Sequence, residues 1–217
     1  MPILANGIMP ISDSPTNERQ NKADPPKSPD GAIAGLGEVA TRARGPAPVH
    51  LWNPPDCGDI DMRIAADGNW HYCGSPIGRA PLVRLFASIL RKDGDRYVLV
   101  TPVEKVGVKV DDAPFLAVEM TVGAGDGGEP TLTFRTNVDD EATVSAEHPL
   151  RFERGPAEGL KPYVRVRGDL WALVKRALFY DLVALGVCEP WRGEAWVGVR
   201  SSGVFFPMCP AREIEGL

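Results

Sequence analysis

The stretch from Met62 to Leu90, MRIAADGNWHYCGSPIGRAPLVRLFASIL, sets a hairpin signal directly ahead of a helical one. Apolar or aromatic residues lie on both sides of Asp67-Gly68, a dipeptide that tolerates the positive φ angles of a two-residue turn. After Gly74-Ser75-Pro76, the positions Leu82, Leu85, Phe86, Ile89 and Leu90 recur at the spacing of one helix face. Pro81 fits in the first turn, where its missing N–H costs nothing. The helix is expected to stop at Lys92-Asp93-Gly94, with RYVLV following as a buried strand. This gives the order β-β-α-β.

A similar order returns. PYVRVRGDLWALVKRALFYDLVALG starts with an alternating strand from Tyr163 to Arg167 and passes through Gly168-Asp169. Asp169 is a suitable N-cap, and Leu170, Leu173, Val174, Ala177, Leu178, Leu182 and Leu185 mark a helix face that Gly186 would end. Two strands, EAWVGV and GVFFPM, follow across Ser201-Ser202-Gly203, and PLRFER is a further strand ahead of this unit. Between the helices lie RYVLVTP, VGVKV, FLAVEMTV, TLTFRT and ATVSA, strand-like runs separated by turn residues. The fold class is therefore α+β, with two helices, about ten strands and an internal duplication of element order.

The first 48 residues differ in kind. They are rich in Pro, Gly, Ser, Asn and Asp without an apolar period, which predicts a disordered tail. A short helix over residues 34–42 is marginal on its glycines and length. Residues 49–112 then form a first α+β domain and residues 113–217 a second. Ordered structure is expected to begin near VHLWNPP, with Trp52 as an anchor.

Composition narrows the function classes. A net charge of −5 argues against non-specific binding to nucleic acid or an anionic membrane. No apolar run approaches the roughly 20 residues of a membrane span, and the N-terminus has no signal-peptide pattern, so the expected location is cytoplasmic. Cys57, Cys73, Cys188 and Cys209 form no Cys-x-x-Cys pair, and with His50, His71 and His148 scattered, neither a disulfide framework nor a zinc site is expected.

No complete catalytic motif is present, and each partial one has a plainer reading beside it. GAGDGG, from Gly123 to Gly128, matches G-x-G-x-x-G but leads into Glu129-Pro130 and a strand instead of a phosphate-binding helix, so a hairpin loop is expected. Ser75 in GSPIGR lacks the nucleophile-elbow spacing and is expected to serve a turn. Arg79 opens a helix, against the dipole, and calls for Asp59, Asp61 or an anionic ligand as its partner. Thr101, Glu104, Lys105, Asp111 and Asp112 lie at strand ends, where they either converge on a cleft or shape turns and solvated edges. Arg135 and Asn137 in FRTN have the donors to meet phosphate or base edges. His148, extended before a proline, offers a titrating imidazole or an interdomain hydrogen bond.

GDIDM, DGNW, GSPIGR leading into LVRLFASIL, YVLVTPVEK, DDAPF, FRTN and EHPL occur in an order that resembles the domain of unknown function 1285 family, over roughly residues 51–207. The resemblance implies two similar domains packed side by side, the C-terminal one loosely like a pleckstrin-homology fold. It also implies a ligand site where they meet and a nucleotide-type ligand in signalling. On that basis the expected function is binding of an anionic, nucleotide-like small molecule in the interdomain groove, without catalysis and with no cofactor or metal. Trp70, Arg79, Thr101, Glu104, Lys105, Arg135, Asn137 and His148 are the expected ligand-binding residues, with Tyr163 as a second aromatic surface. The alternatives are a metal-dependent hydrolase built on Asp59, Asp61, Glu104, Asp111 and Asp112, and a protein-interaction module.

Overall fold

Each hairpin along this chain is closed by a local turn, but each sheet is closed by a strand pair far apart in sequence. The computed structural model describes residues 31–36, 47–125, 127–155 and 159–213. Its first half runs β1 (Asp56–Ile64), β2 (Trp70–Tyr72), β3 (Ser75–Pro76), α1 (Ala80–Ser88), β4 (Leu90–Asp93), β5 (Arg96–Val100) and β6 (Lys105–Val110). These strands form a sheet in the order β3-β2-β1-β6-β5-β4. Two antiparallel meanders meet at the parallel pair β1 and β6. A parallel pair needs a crossover, and β2, β3, α1, β4 and β5 together supply it.

The second half repeats this plan. β7 (Phe115–Ala124), β8 (Pro130–Thr136), β9 (Glu141–Thr143), β10 (Leu150–Arg154), β11 (Leu160–Arg167) and β12 (Leu170–Val174) form a sheet in the order β10-β11-β12-β7-β8-β9. Read from its other edge, the order is that of the first sheet, and its central pair, β7 and β12, is again parallel. The duplication thus resides in sheet topology. The helices break it: α1 connects β3 to β4, whereas α2 (Arg176–Ala184) follows the last strand and leads to a third, antiparallel sheet of β13 (Val187–Trp191), β14 (Glu194–Ser201) and β15 (Val204–Pro210).

Two helix assignments are corrected. Ile89 and Leu90 lie beyond α1, because the chain turns there into β4, and Lys92-Asp93 end that strand rather than the helix. Leu170–Val174 is a strand, not the first turn of a helix. A five-residue apolar run fits either period, and here the Gly168 turn, at φ +50°, folds it back on β11 while Phe115, Leu116 and Ala117 pair with its far edge. Among the described residues there are fifteen strands instead of about ten, since β2, β3, β4, β12 and β13 are short. The hairpin tip at Asp67-Gly68 is a three-residue loop, Ala66 to Gly68, closed between Ala65 and Asn69, and of Asp67 and Gly68 only Gly68 has positive φ.

Buried side chains of both halves, among them Trp70, Phe86, Phe115, Phe134, Leu182 and Phe206, form one contiguous apolar cluster. In α1 the face that turns inward is Leu82, Phe86 and Ala87, and Phe86 stacks on Trp70 at 6.2 Å between ring centroids. The buried Ser201 hydroxyl joins the second and third sheets, accepting from the Leu132 amide at 2.9 Å and donating to the Val144 carbonyl at 2.7 Å. The tail expectation is corrected at one point: Ile33 and Leu36 are buried in the same cluster. Residues 1–30 and 37–46 lie outside the described residues, and with them most of the short helix expected over 34–42.

Candidate functional site

The expected binding residues separate into two groups on different sheets, and each is committed to the protein itself. Thr101 is fully buried, and its hydroxyl donates to the Ala34 carbonyl at 2.9 Å and accepts from the Glu104 amide at 3.2 Å. The Glu104 carboxylate accepts from the Ala34 amide. Lys105, one residue on, pairs with Asp93 at 3.1 Å. On the other sheet Arg135 makes two bonds to Glu119 and one of 3.0 Å to Asp139. This pairing holds the Glu119 carboxyl below its ordinary pKa. Asn137 accepts from the Leu116 amide at 3.0 Å and donates to the Gly68 carbonyl of the opposite domain at 3.3 Å.

The remaining expectations take other places. Trp70 is only 2% exposed and belongs to the core instead of offering an aromatic platform. Its Nε1–H has no hydrogen-bond partner among the described residues. Arg79 is the exposed N-cap of α1, but Asp59 is taken by Arg96. The His148 ring bonds the Arg165 carbonyl at 3.1 Å, within its own domain instead of between domains. Ser75 lies in β3, and the GAGDGG run joins β7 to β8 in a hairpin, with Asp126 outside the described residues. The acids assigned to a metal do not gather: Asp111 pairs with Arg63, and Asp112 with Lys161 and Tyr163. Among the described residues no group of three His, Cys, Asp or Glu forms a metal-ligating cluster.

Where the domains meet, direct contacts fill the seam. Arg84 pairs with Asp139 at 3.2 Å and Lys92 with Asp169 at 3.1 Å. The Arg167 guanidinium donates to the Ala87 carbonyl at the end of α1 at 2.6 Å, pairs with Asp140 and lies 5.0 Å from the Phe115 ring. Burial pushes the Asp112 carboxyl up, but Lys161 and the Tyr163 hydroxyl outweigh it, leaving the pKa below its ordinary value. The Tyr163 phenol is raised by burial and by that same bond. Beside them the half-exposed Arg151 guanidinium lies 4.0 Å from the Trp171 ring and 5.2 Å from that of Tyr163.

Open space for a small molecule lies against β1, β5 and β6. A cavity of about 470 Å³ is lined there by Asp59, Asp95, Arg96, Tyr97 and Lys109 together with aliphatic strand residues. Its size falls in the range of small-molecule sites. Tyr97 also faces the seam: burial raises its phenol and the Lys92 ammonium, 5.6 Å from its ring, pulls it back. Lys109 is exposed and has no ion-pair partner among the described residues. None of these except Asp59 stood out in the sequence. Tyr97 pairs with Val108, so Lys109 projects from the other face of the sheet, the face of Arg96 and Asp59, and this grouping is visible only once β5 and β6 are paired.

Residues 47–113 match the N-terminal domain of the domain of unknown function DUF1285, and residues 114–208 match the C-terminal domain of the DUF1285 proteins of unknown function. The chain belongs to the DUF1285 family. A crystal structure of a DUF1285 family protein from Silicibacter pomeroyi DSS-3 is 52% identical, covering 84% of this chain and 99% of that one with a TM-score of 0.74. A DUF1285 family protein from Shewanella baltica OS155 is 30% identical over 58% of this chain and 91% of its own, with a TM-score of 0.46. No curated protein matches. The boundary between the two DUF1285 domains falls between Ala113 and Pro114, at the junction of the two six-stranded sheets.

Proposed function

We propose that this DUF1285 protein is a binding module for a small, anionic, nucleotide-like molecule, acting in signalling in the cytoplasm without catalysing a reaction. The observation that carries the reading is the cavity on β1, β5 and β6, whose lining brings Lys109, without an ion-pair partner among the described residues, beside Asp95 and the Asp59–Arg96 pair. Lys109 supplies a cation for phosphate and Asp95 an acceptor for sugar hydroxyls. The ligand thus lies beside the interdomain seam rather than within it. The C-terminal domain serves in this reading as a pleckstrin-homology-like scaffold. No helix among the described residues is long and apolar enough to cross a membrane.

The test is a thermal-shift series with adenosine and guanosine monophosphates on the wild-type chain and on Lys109→Ala and Asp95→Ala. Ligand binding to the folded state raises its melting temperature by mass action. Stabilisation by a nucleotide, reduced in both variants, is the expected outcome. Stabilisation by magnesium or manganese alone would favour a hydrolase. No response to either, with a protein that copurifies, would favour an interaction module.

A further inference from the structure

Thr101 and Glu104 stand out in the sequence as site candidates, and in the structure they are a binding site whose occupant is another part of the chain. Together they read both polar groups of a single backbone unit, Ala34: the carboxylate of Glu104 accepts its N–H and the hydroxyl of Thr101 donates to its C=O. The same hydroxyl accepts from the Glu104 amide, so the turn between β5 and β6 is itself held in the shape that presents both groups. On either side of Ala34, Ile33 and Leu36 are each 4% exposed and sit in the apolar cluster. Gly35 lies between them at φ +75°, and a Cβ there would stand 2.9 Å from a Val103 methyl and 3.3 Å from the Thr101 hydroxyl. The segment makes no backbone hydrogen bond to any strand among the described residues.

These features have the grammar of peptide recognition. Polar side chains bind a backbone unit whatever its side chain, two sockets select apolar residues, and a close approach selects glycine between them. A stretch of fold interior would instead be tied in by ladder hydrogen bonds, as β5 and β6 are. The contrast with the next described segment is plain: Val49 and Trp52 are anchored through their carbonyls by Arg91, at 2.6 and 2.7 Å, which reads no amide and no glycine.

We infer that the Thr101–Glu104 turn of the N-terminal domain is a peptide-binding site for an Ile-x-Gly-Leu segment, occupied in cis by Ile33 to Leu36 and open to an equivalent peptide when that segment leaves. The ligand class is an apolar, glycine-containing peptide bound through its backbone. The site is separate from the Tyr97 cavity, so its fate does not depend on the nucleotide reading.

The experiment uses the full-length chain and a fluorescein-labelled peptide carrying Gly31 to Leu36, followed by anisotropy. The peptide binds the Ile33→Asp/Leu36→Asp double variant, whose own segment no longer fits, and is excluded from wild type. Adding Glu104→Ala to the double variant weakens binding by roughly tenfold, the scale of one hydrogen bond to a charged group. Failure of the peptide to bind the folded double variant overturns the proposal, as does binding that ignores Glu104→Ala. Should the double variant not fold, amide hydrogen exchange on wild type decides. The Ala34 amide exchanges through a local opening, faster than that of Leu99 in β5 and slower than an unprotected amide. Equal rates at Ala34 and Leu99 would make the segment part of the global fold, and no protection at Ala34 would mean that the site is not filled in cis; either overturns it.

Discussion

Asp112 binds the two domains with a charge that depends on pH. It leaves the last strand of the first sheet and meets Lys161 and, at 2.7 Å, the Tyr163 hydroxyl on β11. Its carboxyl is held below the ordinary range, because the ammonium and the phenol together outweigh the effect of burial. On acidification the unfolded chain therefore takes up this proton before the folded one does. The stabilisation is present in full above about pH 4, near the unfolded value, and is lost as pH falls through the lower folded value. Asp112→Asn keeps an acceptor for Tyr163 but loses the charge. It should cost about 1 kcal/mol at neutral pH, in keeping with a partly exposed pair. Urea unfolding at a series of pH values should show the variant falling less steeply in acid than wild type, and parallel profiles would contradict the assignment.

At the scale of an element, the loop between β1 and β2 docks one domain on the other. Gly68 occupies φ +80°, a region that disfavours side chains, and its Cα faces the opposite domain. A Cβ there would come within 2.8 Å of a Leu116 methyl and 2.9 Å of the Asn137 amide nitrogen, which bonds the Gly68 carbonyl. Gly68→Ala therefore combines backbone strain with a steric overlap in a packed seam. A loss of about 2–3 kcal/mol is expected by chemical denaturation. A loss within about 0.5 kcal/mol, that of an ordinary surface change, would show that the loop is not a fixed contact.

Across the whole molecule, one cluster and several polar links make two sheets into one unit. Arg167 is the most connected of these links, since it reaches the end of α1, Asp140 and the face of Phe115 at once, and its side chain is only 21% exposed. Arg167→Met keeps much of the aliphatic stem but leaves Asp140 and the Ala87 carbonyl without that donor. A cost of about 2–4 kcal/mol is expected, with the single unfolding transition broadening or splitting as the domains uncouple. Tryptophan fluorescence and far-ultraviolet circular dichroism should then give different midpoints. Coincident midpoints at wild-type stability would show that the apolar cluster alone couples the domains.

The strand content was legible because runs such as RYVLV, VGVKV, FLAVEMTV and TLTFRT are bounded by turn residues and rich in β-branched side chains, which dictates local structure without help from a partner. The amphipathic face of α1 and the hairpin tip at Gly68 were legible for the same reason. Leu170–Val174 was not, since five apolar residues satisfy two periods and only pairing with β7 and β11 selects one. Nor were the partners of Lys105, Arg135 and Glu104 visible: charge attraction acts through space, and Asp93, Glu119 and Ala34 come near only after the strands have paired. Local sequence thus determined the longer extended runs and the apolar face of α1, but not where short apolar segments switch between strand and helix. The tertiary structure alone decided the two central parallel pairs, the open space against β1, β5 and β6, and the filling of the turn at Thr101 by a distant stretch of the same chain. Each of those depends on bringing together residues whose separation along the chain carries no information about their distance.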